Sequence, residues 1–454
     1  MAGGVSVTPT GEAGAYGTRR EQRAWYWYDW ANSAFPTTVV TVFAGPFLTA
    51  AAEAAADASG FVHPLGIPVR AGAWYPYLVS ISALFQVLLM PIVGAIADHS
   101  GRRKFLLAAT TAVGATMTAL LWFVTGPAYI LGGILFLVAS VAFSCAIVVY
   151  YSFLPDIASP AERDDVSSRG WAFGYLGGGL VLAANLALFL LAEGDAIPID
   201  SGTAVRLGIV SAAVWWAGFT VVSLRGLNDR GEGAGLSGGI VRAGFRQLGA
   251  TFRGLWATPV TLLFLAAYLL YNDGIQTVIS QSSVYADNEL RLTQSVIIVA
   301  ILLVQFVAMG GAWLAGRLAR RSGAKRVIIG SLFIWMGVLG YAFFMPKAVP
   351  VTFYVLAALI GLVLGGTQAL SRSLFSQMIP AGREAEYFSA YEIADKGTSW
   401  LGALIFGLAL QFTGSYRIAI ISLLILFGLG TVLLARTNVR TAITEAGNPQ
   451  PPKV

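Results

Sequence analysis

The sequence predicts an all-α polytopic membrane protein: twelve transmembrane helices in two pseudo-symmetric six-helix bundles, with both termini cytoplasmic. Three observations carry that expectation. Of the 454 residues, 56% are hydrophobic and only 11% charged, against about 25% charged in a soluble globular chain. Apolar runs of about 20 residues, the length needed to cross the hydrocarbon core, recur along the chain. A short motif also recurs at the same place in each half of the chain, as a duplicated unit requires.

The apolar runs number twelve, at 24 to 50, 73 to 97, 104 to 124, 128 to 152, 170 to 192 and 204 to 224, then 258 to 284, 293 to 316, 326 to 345, 351 to 378, 386 to 413 and 416 to 436. A chain in lipid must satisfy its own backbone polar groups, so these runs are helices; barrel strands are shorter and alternate.

Cationic residues set the orientation. Arg19, Arg20 and Arg23, the "GRRK" after the second run, Arg225 to Arg253, "RLARRSGAKR", Arg436 and Arg440 all fall on one side, while "AAEAAADASG", "EGDAIPID" and "ADNELR" fall on the other. The bias of Lys and Arg toward the cytoplasm then places both termini there. The acidic loop "DIASPAERDDVSSR" is the exception.

The resulting division is a tail at 1–23, a six-helix bundle at 24–224, a cytoplasmic linker at 225–257, a second bundle at 258–436 and a tail at 437–454. Within the linker, Val241, Phe245, Leu248, Phe252 and Leu255 recur at helical spacing while Arg242, Arg246 and Arg253 point elsewhere, the pattern of an interfacial amphipathic helix.

Composition also narrows the function. A net charge of +6, scattered among loops, does not argue for nucleic acid. The residues before "RREQR" contain no apolar core, so no cleavable signal peptide is expected. With the single Cys145, no intrachain disulfide can form. His63 and His99 stand in loops, and no His, Cys and carboxylate group has metal-ligand spacing. No phosphate-binding Gly-Lys-Ser/Thr loop and no Gly-x-Ser-x-Gly elbow occur. The expectation is therefore a protein without cofactor or metal that is not an enzyme.

The repeat aligns "GAIADHSGRRK" (94 to 104) with "GRLARRSGAKR" (316 to 326), matching Gly94 to Gly316 and Gly101 to Gly323. "SFLPDI" with "QMIPAG" and "GYLGGGL" with "SWLGALI" form a second matching pair at a constant offset.

"GAIADHSGRRK" resembles the signature loop of the major facilitator superfamily, although His99 stands where that pattern has a basic residue and Arg320 replaces the aspartate in the second copy. The resemblance implies that the loop latches the outward-open state, with Gly94, Asp98, Gly101, Arg102 and Arg103 as its residues. "YDWANSAF", "SFLPDIA", "VSSRGWAFGYLGGGL", "GGTQALSRSLFSQMIP" and "AEYFSAYEIADKGTSWLGALIFG" together resemble the branch of the autophagy-linked vacuolar amino-acid effluxers and their bacterial relatives. That resemblance implies amino-acid efflux.

Ionisable groups inside a bundle cost roughly 3 kcal/mol each on insertion scales, which makes each one a functional candidate. Asp29 lies in "WYWYDWANSAFP", six residues past Arg23 and about 9 Å along the helix. At that depth Trp25 to Trp30 read as an interfacial aromatic belt. Asp29, Asn32, Ser33, Pro36 and Thr37 nonetheless share one helical stripe, so Asp29 is either a gate residue or an interfacial packing residue.

Asp273, near the middle of the seventh run with Asn272, Gln276 and Ser280 on its side, suits proton coupling, because protonation removes the burial cost. The alternative is a hydrogen bond to a neighbouring helix. Glu392, Asp395 and Lys396 in the eleventh run, with Gln368 and Arg372 in the tenth, form a charge set that either binds a zwitterion or satisfies only itself. Gly170, Gly174 and Gly178 read as helix packing, whereas Asn185 either lines a cavity or bridges helices.

The expected protein is a monomeric secondary transporter in the cell inner (plasma) membrane. It moves a small polar solute by alternating access, coupled to protons, with an amino acid and export as first choices. The rivals are a lipophile or drug exporter of the same fold and a non-transporting membrane sensor or assembly factor.

Overall fold

A computed structural model of the protein describes residues 16–230, 256, 258–396 and 401–453. Eleven of its helices are long and apolar enough to span a membrane. In the first half these are α1 (Arg19–Ala55), α2 (Trp74–Ser100), α3 (Arg103–Leu120), α4 (Tyr129–Tyr151), α5 (Arg163–Glu193) and α6 (Ser201–Gly226). The second half holds α7 (Pro259–Asn288), α8 (Gln294–Ser322), α9 (Ala324–Phe344), α10 (Pro350–Gln377) and α12 (Tyr416–Arg436).

The eleventh run is described on either side of positions 397–400, which lie outside the described residues. It is described as two segments, α11a (Glu384–Lys396) and α11b (Leu401–Thr413), each of 13 residues and about 20 Å long. A short helix, α13 (Val439–Glu445), follows α12. The amphipathic stretch expected at Val241 to Leu255 lies outside the described residues.

Local chemistry explains several boundaries. Thr18 and Glu21 form a reciprocal capping box that starts α1. Within α1, residues Phe35–Phe43 widen into a π-helical segment that begins beside Pro36, whose missing N–H disturbs the regular ladder. Gly101 ends α2 at φ 62°, a left-handed turn that suits glycine.

The halves meet where α5 packs on α8 and α10, and where α2 packs on α11a. The repeated glycines sit at these two contacts. A Cβ on Gly94 would lie 2.6 Å from the Ala385 carbonyl oxygen, and one on Gly316 would lie 2.7 Å from Ser168 Cβ. Each half thus presents the same small position to the helix of the other half that crosses it.

The first and last described stretches of the chain, at Gly17 and Asn448, lie on one face, the terminal side. The Gly17 amide bonds to Asp156 O at 2.9 Å, and Asn448 Nδ2 donates to Gln377 O and Ile379 O at 2.9 and 2.6 Å. On the far side, strands β1 (Phe61–Val62) and β2 (Val69–Arg70) form a small antiparallel hairpin between α1 and α2. Asn185 bridges α5 and α6, accepting from Ser211 Oγ at 2.9 Å and donating to Gly208 O at 3.5 Å.

Candidate functional site

The first helix is not ringed by an interfacial belt. Trp25 and Tyr28 are fully buried and Tyr26 is nearly so, because this stretch of α1 is enclosed by α4, α5 and α6. Trp25 stacks on Tyr150 with ring centroids 4.6 Å apart, and its indole N–H donates to the Tyr150 carbonyl at 3.1 Å. Gly170 and Gly174 let α5 approach this face closely, since a Cβ on either would come within 2.8 Å of Asp29 Oδ2 or Ser33 Oγ. A Cβ on Gly178 would lie 3.0 Å from Thr37. The glycine stripe is therefore a packing surface against α1.

The polar stripe of α1 faces a cavity of about 400 Å³ between the halves. Asp29, Asn32, Ser33, Pro36 and Thr37 all line it, opposite Gln276 of α7, Gln305 of α8, Gln368 of α10, and Glu392 and Asp395 of α11a. Asp29, Asn32, Gln368 and Glu392 are buried, while Thr41 and Ile279 at the other end are exposed. The cavity therefore opens toward the far side. Apolar side chains, among them Phe143, Ile301, Val304 and Ile360, make up much of the remaining wall.

Hydrogen bonds order the wall of the second half. Gln368 Nε2 donates to Asn272 Oδ1 at 2.6 Å, and Asn272 Nδ2 donates in turn to Asp395 Oδ1. The Tyr268 hydroxyl reaches the same carboxylate oxygen at 3.2 Å. Three helices are thereby joined at one acid, and Asn272, fully buried, acts as the connector rather than as a wall residue. The side chain of Lys396 lies outside the described residues.

Two candidates stand elsewhere than the sequence suggested. Asp273 is buried and does not line the cavity; its Oδ2 accepts from the Gly402 amide of α11b at 2.6 Å, and Oδ1 has no hydrogen-bond partner among the described residues. The reason is rotational: successive residues on a helix lie 100° apart, so with Asn272 turned to α10 and α11a, Asp273 meets α11b.

Arg372 was grouped by the sequence with Glu392, Asp395 and Lys396, but it crosses to the first half. Its Nη2 lies 3.4 Å from Asp29 Oδ2, and its Nε and Nη2 donate to Ser167 Oγ and O, both at 2.9 Å. Its guanidinium carbon is 4.6 Å from the Trp25 ring, 4.9 Å from Tyr151, 5.4 Å from Trp171 and 5.9 Å from Tyr150. This cage comes from three separate helices, so no spacing within one segment announces it. The adjacent tyrosines at the end of the fourth run were its one visible trace.

The terminal side is barred. Asp98 Oδ1 and Oδ2 accept from the backbone amides of Ala385 and Glu386 at 3.0 and 2.9 Å, capping the first turn of α11a. Arg103 joins Asp98, Asp156 and Glu384 at 2.9, 2.9 and 2.7 Å. Arg102, expected to share this role, is exposed, and its backbone amide bonds to Ser100 Oγ at 3.2 Å; the turn at Gly101 directs only Arg103 inward. Arg163 Nη1 donates to Ser376 O at 3.0 Å, and Ser373 Oγ donates to Asp164 Oδ1 at 2.6 Å, tying α5 to the end of α10. In the second copy of the motif, Arg320 pairs with Asp165 at 2.8 Å, so the loop aspartate is replaced by a base and the acid is supplied by α5.

A cavity with clustered polar groups between two helical halves, open on one face and latched on the other, is the arrangement of a transporter of the major facilitator superfamily. The chain matches the family model described as "Vacuole effluxer Atg22 like" over residues 17–447, and it belongs to that family. It is 33% identical to the uncharacterized MFS-type transporter YxiO of Bacillus subtilis, over 92% of this chain and 94% of that one. It is 26% identical to autophagy-related protein 22-2 of Emericella nidulans, over 98% and 93% of the two chains.

Solved structures show the same fold. The proton:xylose symporter XylE matches with a TM-score of 0.69 at 12% identity, covering 92% of this chain and 95% of that one. A bacterial homologue of the iron transporter ferroportin in its outward-facing state matches with a TM-score of 0.62 at 16% identity, covering 92% and 99%.

Proposed function

We propose that the protein exports a small polar solute, an amino acid in the first instance, across the cytoplasmic (plasma) membrane in exchange for protons, with both termini in the cytoplasm. The observation that carries this reading is the closed end of the cavity. Asp29 and Glu392 and the amides of Asn32 and Gln368 line it, with Asp395 and Gln276 on the same cavity wall. Such a set offers acceptors to an ammonium group and donors to a carboxylate, within reach of one another.

Proton coupling is assigned to Asp273. It is buried, one carboxylate oxygen has no partner among the described residues, and the other holds α7 to α11b, so its charge bears on how these helices meet. The sidedness rests on the arginines of the terminal side, Arg19, Arg20 and Arg23 at the start of α1 and the "RRK" that opens α3. On that assignment the state described here is open to the outside.

Purified protein in liposomes provides the test. An imposed pH gradient should drive flux of at least one labelled amino acid, and an uncoupler should abolish it. Gradient-independent silence across amino acids, peptides, sugars and organic ions would return the protein to the class of non-transporting sensors.

A further inference from the structure

We propose that Trp25, Tyr150, Tyr151 and Trp171, together with Asp29, form a binding box for an organic cation on the first half, that Arg372 is its resident internal occupant, and that the solute carries a guanidinium or ammonium group on its side chain that competes with Arg372 for Asp29. The proposal rests on the reading of the protein as a transporter of amino-acid-like solutes and names their class.

Every wall of the box belongs to α1, α4 or α5, while the occupant comes from α10 of the other half. Aromatic faces around a cation are the usual recognition device for organic ammonium and guanidinium groups. Gly170 leaves the room: a Cβ there would stand 2.4 Å from Asp29 Oδ2 and 3.2 Å from Arg372 Nη2.

The occupant is held unevenly. Its bonds to Ser167 are 2.9 Å long, but both approaches to Asp29 Oδ2 are 3.4 to 3.5 Å, looser than the roughly 2.7 to 2.9 Å of a closed charge-assisted pair. Asp29, Tyr151 and Trp171 also line the open cavity, whereas Arg372 lies behind them. A cation arriving from the cavity therefore meets the same carboxylate and two of the same rings from the other face.

Drawing Asp29 toward the solute leaves a fully buried guanidinium with less compensating charge, which penalises the state in which the halves are closed on the terminal side. A cationic solute thus favours the opposite opening through its differential contacts, and a neutral one of equal size does not.

The test compares arginine with citrulline, which replaces the guanidinium by a neutral ureido group of the same shape and keeps the same α-ammonium and carboxylate, by calorimetry on the full purified chain, with leucine as a third ligand. Arginine should bind at least about tenfold more tightly than citrulline, the scale of a desolvated cation over aromatic rings. Arg372→Gln, which vacates the box, should tighten arginine binding severalfold while leaving citrulline unchanged. Should that variant not fold, Trp171→Leu at the cavity edge should collapse the arginine-to-citrulline ratio.

Equal binding of arginine and citrulline to the unaltered protein, unchanged or weaker arginine binding by folded Arg372→Gln, or a ratio untouched in Trp171→Leu each overturns the proposal. Leucine flux driven by a pH gradient alongside equal binding of arginine and citrulline would sink the cation box and leave the proposed function standing. Tight arginine binding without any such flux would do the reverse.

Discussion

Asp273 Oδ2 lies 2.6 Å from the Gly402 amide, so the carboxylate assigned to proton coupling is also the contact between α7 and α11b. Asp273→Asn keeps an acceptor for that amide but cannot change charge. Flux driven by a pH gradient should be lost in liposomes, while exchange of labelled for unlabelled solute at equal pH survives. Full gradient-driven flux in the variant would make Asp273 a packing residue.

Asp98 caps α11a and holds Arg103, so its removal weakens the terminal-side latch. An N-terminal cap is worth about 0.5 to 2 kcal/mol, and 1.4 kcal/mol is tenfold in population. Asp98→Ala should raise the terminal-side-open fraction by about tenfold. Spin labels at the exposed positions Arg102 and Glu445 should report a longer distance population. An unchanged distance distribution would show that the other crossing bonds suffice.

Gly94→Val tests the close approach of α2 to α11a. Its side chain would begin 2.6 Å from the Ala385 carbonyl oxygen, and overpacking of this kind costs about 1 to 3 kcal/mol. Transport should fall by roughly an order of magnitude or more, and the same labels should show the terminal side held open. Gly316→Val, directed at Ser168, should behave alike. Wild-type rates in both variants would mean that neither contact has to close during the cycle.

The far side offers a pH-dependent tie. Burial opposes the charge of Glu289, but hydrogen bonds and charge from Arg417 and Lys347 outweigh it and hold the carboxyl below its ordinary value of 4.5. A carboxyl depressed in the folded state contributes stability above its unfolded value and loses it as pH falls through the folded one. Glu289→Gln should therefore melt lower than the unaltered protein at pH 7, and the gap should narrow below about pH 4. A gap independent of pH in thermal melts would assign the effect to packing.

Much of this fold was legible before any coordinates. Among the described residues, eleven of the twelve apolar runs correspond to single long helices, because crossing a bilayer imposes length and hydrophobicity on each segment separately. Gly94 and Gly316 were visible as a repeat, and both stand where helices of opposite halves cross. The stripe from Asp29 to Thr37 was visible as a period, and it faces the cavity. These features belong to one helix's own surface, and sequence spacing describes that surface directly.

Partner choice was not legible in the same way. Arg372 is close in depth to Glu392 and Asp395 yet turns to Asp29 and Ser167, more than two hundred residues away in the chain. Trp25 has the composition of an interface residue and the position of a core one. Asp98 announced a latch, but not that its partners would be the first amides of α11a. The sequence by itself determined that the chain crosses a membrane in two related halves and which faces of its helices are polar. Only the tertiary structure decided which of those faces meet, because a contact between two helices depends on their mutual rotation and tilt, set by packing across the whole bundle at once.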